Sequence, residues 1–250
     1  MNERWSALGS VILGVLVAAG LAGAGYFIGD GLYAARTSER FVTARGLVER
    51  PVKANLGVWT ISFSRTGDDV TKVNAQIEND SSMVEAFVHK QGFTEAEIEP
   101  LATKVTDQLA SGNQQISKEG RYVIKGGVKI RSANVEQIRQ SSSLTGELIK
   151  QGIVLITDYE NGGSVNPAYF FTKLDSIRPG MLAEATRSAR LVAQQFANDS
   201  GSRLGNIKRA NQGVFEITGR DSSSSNGQEE LGAIDKKVRL VTTIDYALVN

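Results

Sequence analysis

The sequence predicts an α+β protein: an N-terminal transmembrane helix followed by antiparallel sheets with helices packed on one face. Three observations carry the prediction. Residues 5–29 contain no charged side chain, several later segments alternate apolar and polar residues with a period of two, and single helical patterns separate those strand-like segments.

The uncharged stretch WSALGSVILGVLVAAGLAGAGYFIG, Trp5 to Gly29, is 25 residues long. As a helix it measures about 37 Å against a bilayer core of about 30 Å, so it spans with some tilt. A cleavable signal has a shorter apolar core and ends in a small-x-small site. The nearest candidate, Tyr33-Ala34-Ala35, lies beyond Asp30 and puts Tyr where a small residue is required. The expectation is therefore a retained anchor over residues 1–36 and a second domain over 37–250. Within the span, Gly14, Ala18 and Ala22 recur four apart, as do Ala19 and Gly23, and Gly25 and Gly29. Such spacing lets helices approach closely in lipid, and it is also the ordinary composition of a Gly/Ala-rich anchor.

Phe41 to Glu49 and Leu56 to Arg65 read as strands joined through Arg50-Pro51; in the second, Trp59, Ile61 and Phe63 share one face. Asp69 caps a helix to Gln91 that ends at Gly92. A strand follows Thr94 to Pro100 and runs to about Leu109, then a polar loop, Ser111 to Gly120. Tyr122 to Ile130 alternates most clearly of all. Asn134 caps a helix through Ile149 that closes at Gly152. Ile153 to Tyr159 and Tyr169 to Leu174, separated by Gly162-Gly163, read as a strand pair. Gly180 to Asn198 forms a helix with Leu182, Ala185, Ala189, Val192 and Phe196 along one apolar seam, stopped by Gly201. Strands around Ile207 and at Val214 to Thr218, a Ser-rich loop from Asp221 to Gly227, and a last strand, Lys237 to Leu248, complete the chain.

Lys and Arg number 28 against 27 Asp and Glu. No chain-wide basic field exists to hold nucleic acid, and a polyanion partner is not expected. The absence of cysteine excludes disulfides, thiolate metal sites and cysteine nucleophiles. His89 is the only histidine, so neither a histidine triad nor a multi-histidine metal site can form within one chain. Glu95, Glu97, Glu99, Asp158 and Glu160 lack the spacing of a twelve-residue calcium loop and read as solvated charges. Gly23, Gly25 and Gly29 follow no strand and cannot be a phosphate-cradling loop. Ser141 to Ser143 and Ser222 to Ser225 have no accompanying base or nucleophile elbow. Arg203, Lys208 and Arg209 form a small basic cluster that reads as a solvated edge. No catalytic, cofactor-binding or metal-ligating residue is assigned.

The segment Glu184 to Ile207, EATRSARLVAQQFANDSGSRLGNI, resembles the signature segment of the SIMPL-domain family of bacterial envelope proteins. Tyr169 to Asp175, YFFTKLD, and the strand, helix and strand from Tyr122 to Tyr159 sit where that family places theirs, and the resemblance extends over Phe41 to Leu248. It implies an α+β fold, a periplasmic or cell-surface location, and in some members large hollow ring-like oligomers. Some members are linked to oxidative stress or known as surface antigens, and the family has no established catalytic residues. The uncleaved anchor and substituted positions in the Ala-rich helix depart from its pattern.

The expectation is thus a noncatalytic protein of the bacterial inner membrane, a single-pass chain with its C-terminal domain in the periplasm. Its partners are copies of itself and the bilayer through residues 5–29, and no nucleic acid. The Lys/Arg bias around the span alone points the domain toward the cytoplasm, but long domains translocate largely regardless of nearby charge. The rival expectation is a periplasmic enzyme or ligand-binding subunit with a site between protomers.

Overall fold

In chain order the elements are helix α1 (16–29), strands β1 (Phe41–Lys53) and β2 (Leu56–Gly67), helix α2 (Val70–Lys90), strands β3 (Ile98–Asp107) and β4 (Tyr122–Ser132), helices α3 (Val135–Ser142) and α4 (Gly146–Lys150), strands β5 (Leu155–Ile156) and β6 (Ala168–Phe170), helix α5 (Leu174–Asp199), strand β7 (Arg203–Gly219), helix α6 (Gly227–Gly232) and strand β8 (Asp235–Val249). They are those of a computed structural model, which describes residues 14, 16–29, 31, 40–110, 120–157, 166–221 and 227–249. The fold is α+β with antiparallel sheets and helices.

Two compact units divide the chain. One, the α5 unit, draws on Met1–Leu47, Ala183–Gly213 and Val241–Asn250; the other, the α2 unit, on Val48–Leu182 and Val214–Leu240.

The sheet of the α2 unit has the order β3-β4-β2-β5, with β6 also paired to β2. Its centre is the antiparallel β2–β4 ladder, which sets Trp59 opposite Ile130, Ile61 opposite Val128 and Phe63 opposite Gly126. The period of two puts these side chains on one face, where Val73, Ile77, Val84, Phe87 and Val88 of α2 meet them in one core with Ile138 and Leu148. Asp69 caps α2 by accepting from the N–H groups of Thr71 and Lys72, and Asn134 caps α3 through Gln137 N–H. The three glycines expected to stop helices, Gly92, Gly152 and Gly201, all take positive φ, where a side chain is strained. Proline is tolerated at two edges: Pro100 lies in β3, and β1, an end strand of the sheet ordered β1-β8-β7, runs on through Pro51.

Four expectations need correction. The helix from Asn134 is two helices, α3 and α4. Hydroxyls of Ser142, Ser143 and Thr145 each donate to a carbonyl three residues back and compete with the helical ladder. Leu155–Ile156 and Ala168–Phe170 do not pair with one another; each adds to β2. Helix α5 begins at Leu174 rather than Gly180 and carries Pro179 inside it. Its seam is also rotated: Met181, Ala185, Ala189, Ala193 and Ala197 are wholly buried, while Val192 and Phe196 are exposed.

The loops 111–119 and 222–226, the Gly162-Gly163 turn, and residues 5–13 and 15 of the expected span lie outside the described residues. Residues 16–29 are helical. Among the described residues no helix is long and apolar enough to cross a membrane.

Candidate functional site

The chemistry-bearing residues named from sequence are dispersed. His89 closes the last turn of α2, with Nδ1 3.1 Å from the Phe93 carbonyl and Nε2 3.0 Å from Glu95. Glu97 accepts from the Thr94 N–H and hydroxyl, an N-terminal capping box. Together with the Ser132 hydroxyl these bonds hold its carboxyl below the ordinary range, Ser132 contributing most. Glu99 sits in β3, while Asp158, Glu160 and Ser222 to Ser225 fall outside the described residues. Ser141 to Ser143 terminate α3. Gly23, Gly25 and Gly29 lie in α1. Arg203, Lys208 and Arg209 lie in β7, and the Lys208 ammonium rests over the Phe41 ring at 5.8 Å. Among the described residues no three carboxylates or histidines gather as metal ligands.

Among the described residues of the α2 unit, two charged groups are buried. Asp80, 1% exposed, accepts two hydrogen bonds from Arg65 at 2.6 and 2.8 Å, a bidentate pair joining α2 to β2. Lys236, 3% exposed, donates to the Glu230 and Leu231 carbonyls; burial pushes its ammonium below the ordinary lysine value. Both charges close a local structure. The cavity lined by Trp59, Thr60, Ser62, Thr145 and Ile156 encloses about 10 Å³, room for one water molecule.

What remains is a surface on the α5 unit. A Cβ placed on Gly46 of β1 would lie 1.9 Å from the Ala185 carbonyl oxygen and 2.8 Å from the Ala189 nitrogen. Strand and helix backbones therefore approach so closely that only alanine fits beneath them, and the bulky residues turn outward. Leu191, Val192 and Phe196 are 68%, 39% and 57% exposed on α5. Phe41 and Leu47 of β1 and Val249 of β8 are also about half exposed, but the alternation that turns Ala44, Gly46, Ile244 and Tyr246 toward α5 puts them on the opposite face of the sheet. Inside it, the hydroxyls of Thr242 and Tyr246 are buried without a hydrogen-bond partner among the described residues, and burial raises the Tyr246 phenol. Exposed Leu191, Val192 and Phe196 on a helix whose buried side is alanine mark a candidate interaction surface. The signal was available in the alanines at 185, 189, 193 and 197, spaced four apart, which the larger Val192 and Phe196 overshadowed.

No curated protein matches the chain. Among solved structures, the crystal structure of an uncharacterized conserved protein from Listeria innocua is similar at 11% identity and a TM-score of 0.19, covering 77% of this chain and 90% of that one. The family model SIMPL, described as a protein of unknown function (DUF541), matches residues 42–238. The chain belongs to the SIMPL family.

Proposed function

We propose that the chain is a noncatalytic, single-pass protein of the bacterial inner membrane whose periplasmic α5 unit associates with copies of itself into a ring or scaffold. One observation carries the reading: the α5 unit turns Leu191, Val192 and Phe196 toward solvent over an interior of alanine. A second copy covering that face would remove apolar surface from water at about 25 cal/mol per Å². The end strands β1 and β7 of the three-stranded sheet add a second route, since an open strand edge pairs readily with another chain. Support for the anchor comes from the uncharged residues 5–29 and from the exposure of Leu16, Leu21, Tyr26, Phe27 and Ile28 on α1. These side chains are costly in water and favourable in lipid. The periplasmic side and a link to envelope or oxidative stress rest on the family resemblance alone.

Size-exclusion chromatography with light scattering on the detergent-solubilised full chain tests assembly. The expected protein mass is several multiples of 26.9 kDa, and a clean monomer overturns the reading. A C-terminal reporter active only outside the inner membrane tests orientation, with silence assigning the domain to the cytoplasm.

A further inference from the structure

Beneath α5 lie two polar groups that close packing leaves without partners. Thr242 and Tyr246 of β8 are 2% and 1% exposed, and neither hydroxyl finds a hydrogen-bond partner among the described residues. Strand alternation puts both on one face with Ile244 between them, and about 3.3 Å per residue sets them about 13 Å apart. On that face Ile244 and Tyr246 pack with Ala44 of β1 and with Ala189 and Ala193 of α5. A buried hydroxyl gives up its bonds to water, and without a partner it recovers nothing in exchange. Closing α5 over this face therefore works against both groups.

The forces holding α5 down are small. Within the α5 unit its buried residues are Ala185, Ala189, Ala193 and Ala197, each contributing a single methyl, the smallest apolar side chain that can be buried. Leu191, Val192 and Phe196 point to solvent and add nothing to that seam. The helix is also weak near its start, where Pro179 has no N–H to give the Asp175 carbonyl and Gly180 follows it. At the other end it stops at Gly201, with φ +67°. Helix α2 differs on both counts. It buries Val73, Ile77, Val84, Phe87 and Val88, and its buried Asp80 carboxylate is bound twice by Arg65. Ser62, the other unpartnered hydroxyl among the described residues, lines the cavity with room for one water molecule.

We propose that α5 is a lifting cover: residues 183–199 leave the sheet reversibly, and in the lifted state the Thr242 and Tyr246 hydroxyls bond to water. Released from its packing, the helix frays, because helices in water draw most of their stability from the face they bury. Lifting is thus a local opening of the α5 unit, while the α2 unit keeps its core. Leu191, Val192 and Phe196 ride on α5, so lifting withdraws the face offered to a second copy. That consequence rests on the assembly reading; the opening itself does not.

The test is amide hydrogen exchange on the full-length protein in neutral detergent, under conditions where the rate follows the opening equilibrium. In the wild type, residues 183–199 exchange faster than the β2–β4 ladder. The double variant Thr242→Val/Tyr246→Phe removes two oxygens and keeps the shape of the seam. It slows exchange across 183–199 at least about tenfold and leaves the ladder within about twofold. The opposite control, Ile244→Val, takes a methylene from the same seam and speeds exchange there about threefold. Should the double variant lose its cooperative melt, Tyr246→Phe alone, with a slowing of about threefold, takes its place. Two results overturn the proposal. Unchanged or faster exchange of α5 in the double variant means that the hydroxyls are satisfied where they stand, and equal slowing in the ladder means that α5 has no opening of its own. The same slowing is expected in a Leu191→Ser/Phe196→Ser background, where assembly is lost, so this inference and the assembly reading fail separately.

Discussion

The two units bury their interiors by opposite means. In the α2 unit, seventeen buried residues that include Trp59, Phe63, Phe87 and Ile130 form one core. In the α5 unit the buried cluster is five residues, three of them alanine: Ala44, Ala189, Ala193, Ile244 and Tyr246. The first gains from large side chains and interdigitation, the second from close backbone approach. Apolar side chains are exposed on the α2 unit as well, Ile149 and Val154 among them, but there they sit over a deep core. On the α5 unit the exposed set outweighs the buried one. Under the proposed assembly, a neighbouring copy would cover that set.

Breaking each interior should reveal the difference. Phe63→Ala removes a fully buried ring and is expected to cost about 4 kcal/mol, read as a shift of the chemical-denaturation midpoint. Gly46→Ala drives a methyl into helix backbone, which no rotamer change relieves. The expected cost is about 3 kcal/mol, confined to the α5 unit. Hydrogen exchange should rise in α5 and β8 while the β2–β4 ladder keeps its protection. Arg65→Met strands the buried Asp80 carboxylate; because Arg65 is itself about a quarter exposed, the cost falls at the low end for a broken buried pair, about 2 to 3 kcal/mol.

Acid should weaken the α2 unit first. Arg121 hydrogen bonds hold the Asp107 carboxyl below its ordinary value of 3.8, and the Ser132 and Thr94 bonds hold Glu97 below 4.5. The unfolded chain then binds more protons, so this contribution is complete above about pH 4.5 and is lost as pH falls through the lowered folded values. Asp107→Asn should flatten the acid limb of the stability profile. The smallest effect on protomer stability belongs to Leu191→Ser with Phe196→Ser, within about 0.5 kcal/mol. The same pair should abolish assembly.

Much of this architecture was legible before any coordinates. Asp69 and Asn134 cap because short side-chain oxygens reach the first free N–H groups, and Gly92, Gly152 and Gly201 stop helices because positive φ suits them. The β2 and β4 alternation follows from one buried face. What was not legible came from tertiary spacing. Nothing local reveals that β1 meets α5 at Gly46, so apolar size pointed to Val192 and Phe196 when room existed only for alanine. Partner choice is equally nonlocal: Leu155 and Tyr169 read as a pair, and each found β2. Register is nonlocal too: Lys125 meets Lys104, and Lys129 meets Glu99, only once β3 and β4 are paired.

The most direct test of the central claim uses the absence of native cysteine. A single Leu191→Cys in the full-length protein is exposed to maleimide in native membranes, with Lys150→Cys on α4 as the solvent reference. Covered by a neighbouring copy, Cys at 191 reacts at least about tenfold more slowly than Cys at 150 and speeds up when Phe196→Ser is added. Equal rates at the two positions would mean that α5 faces water in the membrane, and the account of a unit completed by its neighbours would be wrong.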